Sequence, residues 1–108
     1  KTEYGWLILF HAVEAKGDVG VYRTFYAYSQ SDIPYNLLCV SKNEILAENR
    51  KLTDDLMAIK YVDNVVFSTG IVDSGEKFIV ASGEDDLCCR ITHIPKETFN
   101  FKGSEKYE

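Results

Sequence analysis

The stretch that decides the fold is residues 63–94, DNVVFSTGIVDSGEKFIVASGEDDLCCRITHI. It holds three short runs rich in Val, Ile and Phe, at residues 65–69, 77–82 and 87–94, with polar breaks between them. Apolar runs of this length bounded by Gly, Asp and Ser are typical of β-strands. The break at residues 73–75 places Ser-Gly between two apolar runs, which predicts a tight hairpin turn.

The second break, residues 83–86, carries three carboxylates directly after a strand that we expect to be buried. A turn needs one Asp or Gly for its backbone geometry, and it does not need Glu-Asp-Asp. We therefore interpret the surplus negative charge as the first indication of a binding site.

The rest of the chain continues the β pattern. Residues 7–13 form an apolar run that predicts a fully buried strand. Residues 19–29, rich in Tyr and Phe, predict its antiparallel partner, and residues 37–40 predict a further short strand. Residues 41–60 alone have helical character, and they form either a short helix or a long connection with one or two helical turns.

About six short strands with at most one short helix predict an all-β fold of antiparallel sheets. A sandwich, a barrel and propeller blades all fit this spacing of strands. We expect a β domain over residues 1–96 and a polar, frayed tail over residues 97–108.

Composition bears on the kinds of partner and compartment. A net charge of −5 with scattered basic residues disfavours nucleic acid, and no apolar run approaches the ~20 residues of a membrane span. Cys39, Cys88 and Cys89 make a poor disulfide framework, and their spacing to His93 does not match a zinc site. We expect buried thiols in a reducing, cytoplasmic compartment, and neither a metal nor an organic cofactor.

Four motifs then occur in an order found in one known family. They are GWLILFHAV at residues 5–13, VYR at 21–23, NVVFSTG at 64–70 and SGEDD at 82–86. Together they resemble the C-terminal part of glycoside hydrolase family 130, the β-1,4-mannooligosaccharide and mannosylglucose phosphorylases. That family's motifs read roughly G-W-L-L-x-Y-H-G-V, Y-R, N-V-V-F-P-x-G and Y-Y-G-x-x-D. The resemblance implies a five-bladed β-propeller whose central channel cleaves β-mannosidic bonds with inorganic phosphate, or with water in some members.

The resemblance also implies roles for individual residues. His11 matches a histidine that helps to bind phosphate, while Asp86 and Asn64 match residues that contact sugar hydroxyls. Arg23 is a further candidate, because a guanidinium pairs with phosphate or carboxylate. Each has a structural alternative: a buried His bonded to the backbone, a solvated acidic turn, a turn Asn, and an Arg whose stem packs on the strand.

Three tyrosines also fall on one face of the second predicted strand. Tyr22, Tyr26 and Tyr28 occupy positions at a period of two. They would stack on a sugar ring or form a cross-strand aromatic ladder, and the ladder is the commoner arrangement.

The sequence departs from the family pattern at several positions, and these departures bear on whether the chain could be catalytic. Ala12, Ser68 and the pair Ala81-Ser82 replace Gly, Pro and two Tyr near the implied sugar site. The family's general acid Asp lies upstream of the matched part, and 108 residues suffice for about two blades. We therefore expect no catalytic residue here.

Two functions remain open. The first is part of a β-mannoside phosphorylase or hydrolase, inactive alone, with an oligosaccharide as ligand and inorganic phosphate as co-substrate. The alternative is a non-catalytic β-rich module that binds carbohydrate or protein. In either case, self-association or a partner chain should cover the open sheet edges.

Overall fold

The computed structural model describes residues 1–57, 59–60, 62–100 and 104–106. Within these ranges the chain forms two antiparallel, blade-like sheets, so the all-β prediction is confirmed. The strands are β1 (Trp6–Glu14), β2 (Val21–Ser29), β3 (Leu37–Ser41), β4 (Val66–Ser74), β5 (Lys77–Glu84), β6 (Cys88–Pro95) and β7 (Ser104–Lys106). The first six correspond to the six predicted strands.

The first sheet has the order β1-β2-β3-β7, and β1 lies at its edge. None of the nine residues of β1 is fully buried, which corrects the expectation of a fully buried strand. Leu7 and Leu9 pack against the core, whereas Trp6 and Ile8 point away from it and are 39% and 37% exposed. The apolar run alone could not distinguish an edge strand from a central one.

The second sheet is a meander of β4, β5 and β6. Gly75 and Glu76 connect β4 to β5 in a two-residue hairpin, because Ser74 pairs with Lys77. Asp73 Oδ1 accepts a hydrogen bond from the Gly75 N–H at 3.0 Å, and Gly75 takes a φ of 78° that favours glycine. The predicted tight turn is confirmed.

The turn from β5 to β6 explains most of the acidic run. The Leu87 N–H donates to the Glu84 carbonyl at 3.0 Å, and Asp85 and Asp86 lie between them with φ of 51° and 56°. Asp and Asn tolerate this left-handed region better than most residues. The backbone of the turn therefore uses both aspartates, which corrects the view that a single Asp or Gly would suffice.

The segment between β3 and β4 is a long connection. Among the described residues it contains two single 3₁₀ turns, at Arg50–Leu52 and Asp54–Leu56. Asn49 Oδ1 caps the first by accepting a hydrogen bond from the Lys51 N–H at 3.2 Å. The second of the two alternatives left open by the sequence is therefore confirmed. In the part of the chain that the structure describes, no helix has the length and apolar character to span a membrane.

The C-terminal segment belongs to the fold, which corrects the expectation of a frayed tail. After a 3₁₀ turn at Lys96–Thr98, the Phe99 side chain is 1% exposed. Further along, β7 pairs antiparallel with β3, and Val40 lies opposite Glu105. Residues 101–103 and 107–108 of the predicted tail lie outside the described ranges.

The core forms where the two sheets pack face to face. Its buried members are Tyr26, Tyr28, Cys39, Leu46, Val66, Phe78, Val80, Ile94 and Phe99. The Phe99 ring makes edge contacts with Tyr26 and Phe78, at centroid distances of 5.2 Å and 5.3 Å. Tyr26 and Tyr28 are therefore packed core residues and offer no face to a sugar. Tyr22 is half-buried beside Phe67.

The three cysteines are free thiols in different surroundings. Cys39 is buried, whereas Cys89 is exposed and Cys88 lies between these extremes. Adjacent residues of a strand point to opposite faces, which separates Cys88 from Cys89. The expectation of buried thiols is correct for Cys39 and wrong for Cys89.

Candidate functional site: a polar cleft beside a buried ion cluster

A polar cleft lies where the turn from β1 to β2 approaches the connection that leads into β4. It consists of two cavities of about 460 and 320 Å³ that share Val21, Arg50 and Asn64 as lining residues. The larger cavity is lined by residues 16–21, 50 and 62–64, and the smaller by residues 21–23, 47–48, 50 and 64. Charged and amide side chains supply much of this lining.

Two of the four predicted binding residues, Arg23 and Asn64, line the smaller cavity together. Arg23 Nη1 lies 3.0 Å from Glu14 Oε2, and its side chain is 35% exposed. Asn64 has a φ of 58°, and its carbonyl accepts a hydrogen bond from the Tyr22 N–H at 2.8 Å. This bond joins the two sheets, so it fixes the backbone that carries the Asn64 amide.

A cluster of buried charges lies beside the cleft. Lys60 Nζ lies 2.8 Å from Glu48 Oε1, 2.7 Å from Asp63 Oδ1 and 3.1 Å from Asp85 Oδ2. The side chains of Lys60, Glu48 and Asp85 are 4%, 6% and 0% exposed, while Asp63 is half-exposed. Glu48 and Asp63 also line the cleft, so the ion cluster forms part of its wall.

The electrostatics of the cluster follow from burial and pairing. Hydrogen bonds from Lys60 to Asp63 and then to Glu48 raise the pKa of the Lys60 ammonium above its usual value. The same contact lowers the pKa of Asp63. Burial raises the pKa of Glu48 in spite of its bond to Lys60, and the neighbouring Asp85 carboxylate adds to this effect. Lys60 is therefore held as a cation that neutralises crowded carboxylates.

The same three carboxylates have the spacing of a cation site. One oxygen atom each from Glu48, Asp63 and Asp85 lies within 4.8 Å of the others. Carboxylate oxygens are the ligands that Mg²⁺ and Ca²⁺ prefer. The Lys60 ammonium contacts all three groups, so this side chain takes the place that a metal ion would occupy.

A second buried ion pair supports the wall of the cleft. Glu84 is 0% exposed, and its Oε2 lies 3.2 Å from Arg90 Nη1. Its Oε1 accepts a hydrogen bond from the Asn49 N–H, and Arg90 Nη1 also donates to the Ala47 carbonyl at 2.8 Å. These bonds tie Ala47 and Asn49 to the second sheet and so position Glu48, which lies between them.

The structure places His11 away from the cleft lining. Its Nε2 accepts a hydrogen bond from the Ser68 main-chain N–H at 2.8 Å, and its ring lies 4.1 Å from the Phe67 ring. An accepting Nε2 is unprotonated, so this nitrogen does not donate to an anion. Proline has no main-chain N–H, so this contact requires a residue other than proline at position 68.

Asp86 lies at the exposed tip of the turn between β5 and β6 and lines neither cavity of the cleft. The preceding Asp85 docks this turn against the start of β4. Its N–H donates to the Val65 carbonyl at 2.8 Å, and its Oδ1 accepts from the Val65 N–H at 2.9 Å. The turn therefore lies beside Asn64, although the Asp86 side chain does not line either cavity.

Sequence reasoning missed the ion cluster. Lys60, Glu48 and Asp63 belong to no motif, and each looks like an ordinary surface charge in the sequence. Of the four residues in the ion cluster, only Asp85 lies in the acidic run that the sequence singled out. Comparison with known proteins finds no matching family model, no matching curated protein and no matching solved structure.

Proposed function

We propose that this chain provides a glycan-binding surface and does not catalyse a reaction alone. The observation that carries the proposal is the polar cleft, where Arg23, Arg50 and Asn64 line the same cavity as Glu48. The ligand class that we propose is a β-mannoside, on the resemblance of the sequence motifs to family 130.

The chemistry of the cleft suits sugar hydroxyls, which both donate and accept hydrogen bonds. The Asn64 amide offers donors and an acceptor, a carboxylate offers acceptors, and a guanidinium offers several donors in a fixed plane. Its two cavities also fall within the range of about 300–1,000 Å³ that is common for small-molecule sites. A short oligosaccharide would match both the polarity and the size.

Binding without catalysis follows from the state of the acidic groups. Glycoside hydrolysis uses two carboxyl groups about 5–10 Å apart on either side of the bond. Here one oxygen atom from each of the three clustered carboxylates lies within 4.8 Å of the others, and Lys60 pairs with all three groups. We propose that catalysis of phosphorolysis or hydrolysis, if this surface serves an enzyme of the family-130 type, depends on residues from elsewhere in that enzyme.

A second candidate is a non-catalytic module that binds protein. It is favoured by the outer face of the second sheet, where Val72 and Ile91 are 63% and 61% exposed. Exposed apolar patches of this kind often mark protein interaction surfaces.

The test is an NMR titration of the isolated chain with β-1,4-mannobiose, mannose, inorganic phosphate and, as a control sugar, cellobiose. We expect mannobiose to shift the resonances of Arg23, Arg50 and Asn64 and to leave those of His11 unchanged. Equal responses to mannobiose and cellobiose would exclude the β-mannoside class, and silence of the cleft residues would exclude glycan binding there.

Asn64→Gly provides the matched variant. Glycine accepts the positive φ of this position without strain, so the change removes the amide and keeps the turn. We expect it to weaken binding at least about tenfold, a loss of about 1.4 kcal/mol. Asn36→Gly, at an exposed position outside the cleft lining, should bind as the unmodified chain does.

A further inference from the structure

The four edge strands of the two sheets differ in how well they are protected. In the second sheet, β4 carries a bulge between Ser68 and Gly70, and β6 ends in Pro95. In the first sheet, β7 has three residues. Bulges, prolines and short length are the devices by which proteins prevent edge strands from pairing with another chain.

The edge strand β1 has none of these devices. Its nine residues pair with β2 in an unbroken register from Trp6–Ser29 to Glu14–Val21. It contains no proline, and Glu14 is its one formally charged residue at neutral pH. Among the described residues, no strand pairs with its other edge. A row of backbone donors and acceptors nine residues long is thus open to a further strand.

We propose that β1 is a self-association site, at which β1 of a second copy of this chain adds in antiparallel orientation about a two-fold axis at Phe10. In this register Ile8 lies opposite Ala12 of the second copy, and Trp6 lies opposite its Glu14. A two-fold axis makes the interface isologous, so both copies use the same strand and the assembly closes as a dimer.

Charge complementarity selects this orientation. Lys1 Nζ lies 5.9 Å from the centre of the Trp6 ring, so a cation marks one end of β1. Glu14 marks the other end, where its carboxylate pairs with Arg23 of the same chain at 3.0 Å and its side chain remains 63% exposed. Antiparallel pairing brings Lys1 of each copy to Glu14 of the other. Parallel pairing would place the two Glu14 carboxylates side by side, which is unfavourable.

The side chains that point away from the core also match across the axis. Trp6 and Ile8 are exposed, and Phe10 stacks on Phe25 at a centroid distance of 5.9 Å. Pairing about Phe10 sets the two Phe10 rings opposite each other and joins both apolar stripes into one. Cross-strand aromatic pairs are among the contacts that stabilise antiparallel sheets.

The experiment is sedimentation equilibrium of the 108-residue chain from the micromolar to the millimolar range. We expect the mass to double as concentration rises. Ile8→Lys places a charged, sheet-protecting side chain on β1 and should weaken dimerisation at least about tenfold. The matched control is Ile91→Lys on the edge strand β6, a 61% exposed isoleucine that should leave dimerisation unchanged.

Two further variants test the register. Lys1→Glu alone should weaken dimerisation, because it sets a carboxylate against Glu14 of the other copy, and Glu14→Gln added to Lys1→Glu should relieve this repulsion. Phe10→Cys, in a Cys89→Ser background, should form a disulfide-linked dimer on mild oxidation, with a native circular dichroism spectrum as the check on folding. A chain that stays monomeric at millimolar concentration, or a dimer that Ile91→Lys disrupts and Ile8→Lys does not, would overturn the proposal.

Discussion

His11 and Ser68 join the two sheets: the Nε2 atom of His11, on β1, accepts a hydrogen bond from the main-chain N–H of Ser68, on β4, at 2.8 Å. The Ser68 hydroxyl adds a second link, since its Oγ lies 2.6 Å from Oγ1 of Thr24 on β2. A backbone donor that would otherwise lack a strand partner is therefore satisfied by an imidazole.

This relationship predicts that the His11 side chain stabilises the folded state. His11→Ala leaves the Ser68 N–H without its acceptor, so we expect the free energy of unfolding in urea to fall by about 1–3 kcal/mol. His93→Ala, at an exposed position on β6, is the control and should change it by less than about 0.5 kcal/mol. A His11→Ala variant as stable as the unmodified chain would exclude a structural role for this bond.

The ion cluster predicts a gain of cation binding when its lysine is removed. Lys60→Ala removes the counter-ion of three carboxylates that each have an oxygen atom within 4.8 Å of the others, so the variant should be destabilised at neutral pH. Ca²⁺ or Mg²⁺ should restore its melting temperature, because the oxygen atoms of Glu48, Asp63 and Asp85 would then ligate the ion. Arg50→Ala, which removes a nearby cation that is 70% exposed, should change the melting temperature little, and added Ca²⁺ or Mg²⁺ should not raise it. Melting curves recorded with the cation and with EDTA test this prediction. A Lys60→Ala variant whose melting temperature is the same in both would contradict it.

Tyr28 predicts a loss of stability in alkaline solution. Burial raises the pKa of its hydroxyl from 10.0 to about 12, while the hydroxyl donates to the Phe99 carbonyl at 2.7 Å. Because the folded-state pKa exceeds the unfolded value, this stabilisation is complete below pH 10 and is lost as pH rises through about 12.

Tyr28→Phe tests this linkage. The variant should lose about 0.5–1.5 kcal/mol at neutral pH, because the Phe99 carbonyl loses its donor, and its stability should fall less steeply between pH 10 and 12. Tyr35→Phe, at an 89% exposed tyrosine, should follow the unmodified chain over the whole range. Parallel pH profiles for Tyr28→Phe and the unmodified chain would rule out this assignment.

Two Arg–Glu ion pairs differ in burial, so we expect that breaking them lowers the free energy of unfolding by different amounts. Arg90→Ala leaves the Glu84 carboxylate buried without its counter-ion, so we expect a loss of about 3–5 kcal/mol. Arg23→Ala breaks a pair whose side chains are 35% and 63% exposed, so we expect at most about 1 kcal/mol. Urea denaturation of both variants measures the difference, and similar losses would contradict the weight given to burial.

The strands could be predicted from the sequence because their pattern is local. Each apolar run lies between turn residues, as with Gly75 between β4 and β5. By contrast, β7 is three polar residues whose strand conformation depends on β3, more than 60 residues away along the chain. The run at residues 7–13 was identified as a strand, but its exposure depends on whether another strand lies beside it.

The site was harder to predict for the same reason. Arg23 and Asn64 were identified through short motifs, and the fold brings them to one cleft. Lys60 and Glu48 are 12 residues apart and resemble surface charges until the chain folds around them. His11 was predicted to bind phosphate or to bond to the backbone, but its partner, the Ser68 N–H, could not be named because every residue except proline carries this group.

The pairing of β7 with β3 bears on how this protein is made. Synthesis from the N-terminus produces β1, β2 and β3 before β4, β5 and β6, yet β7 joins the first sheet only after the second sheet has been made. Until Phe99 emerges, Tyr26 and Tyr28 lack the residue that covers them. The first sheet is therefore completed only after the strands of the second sheet have been synthesised.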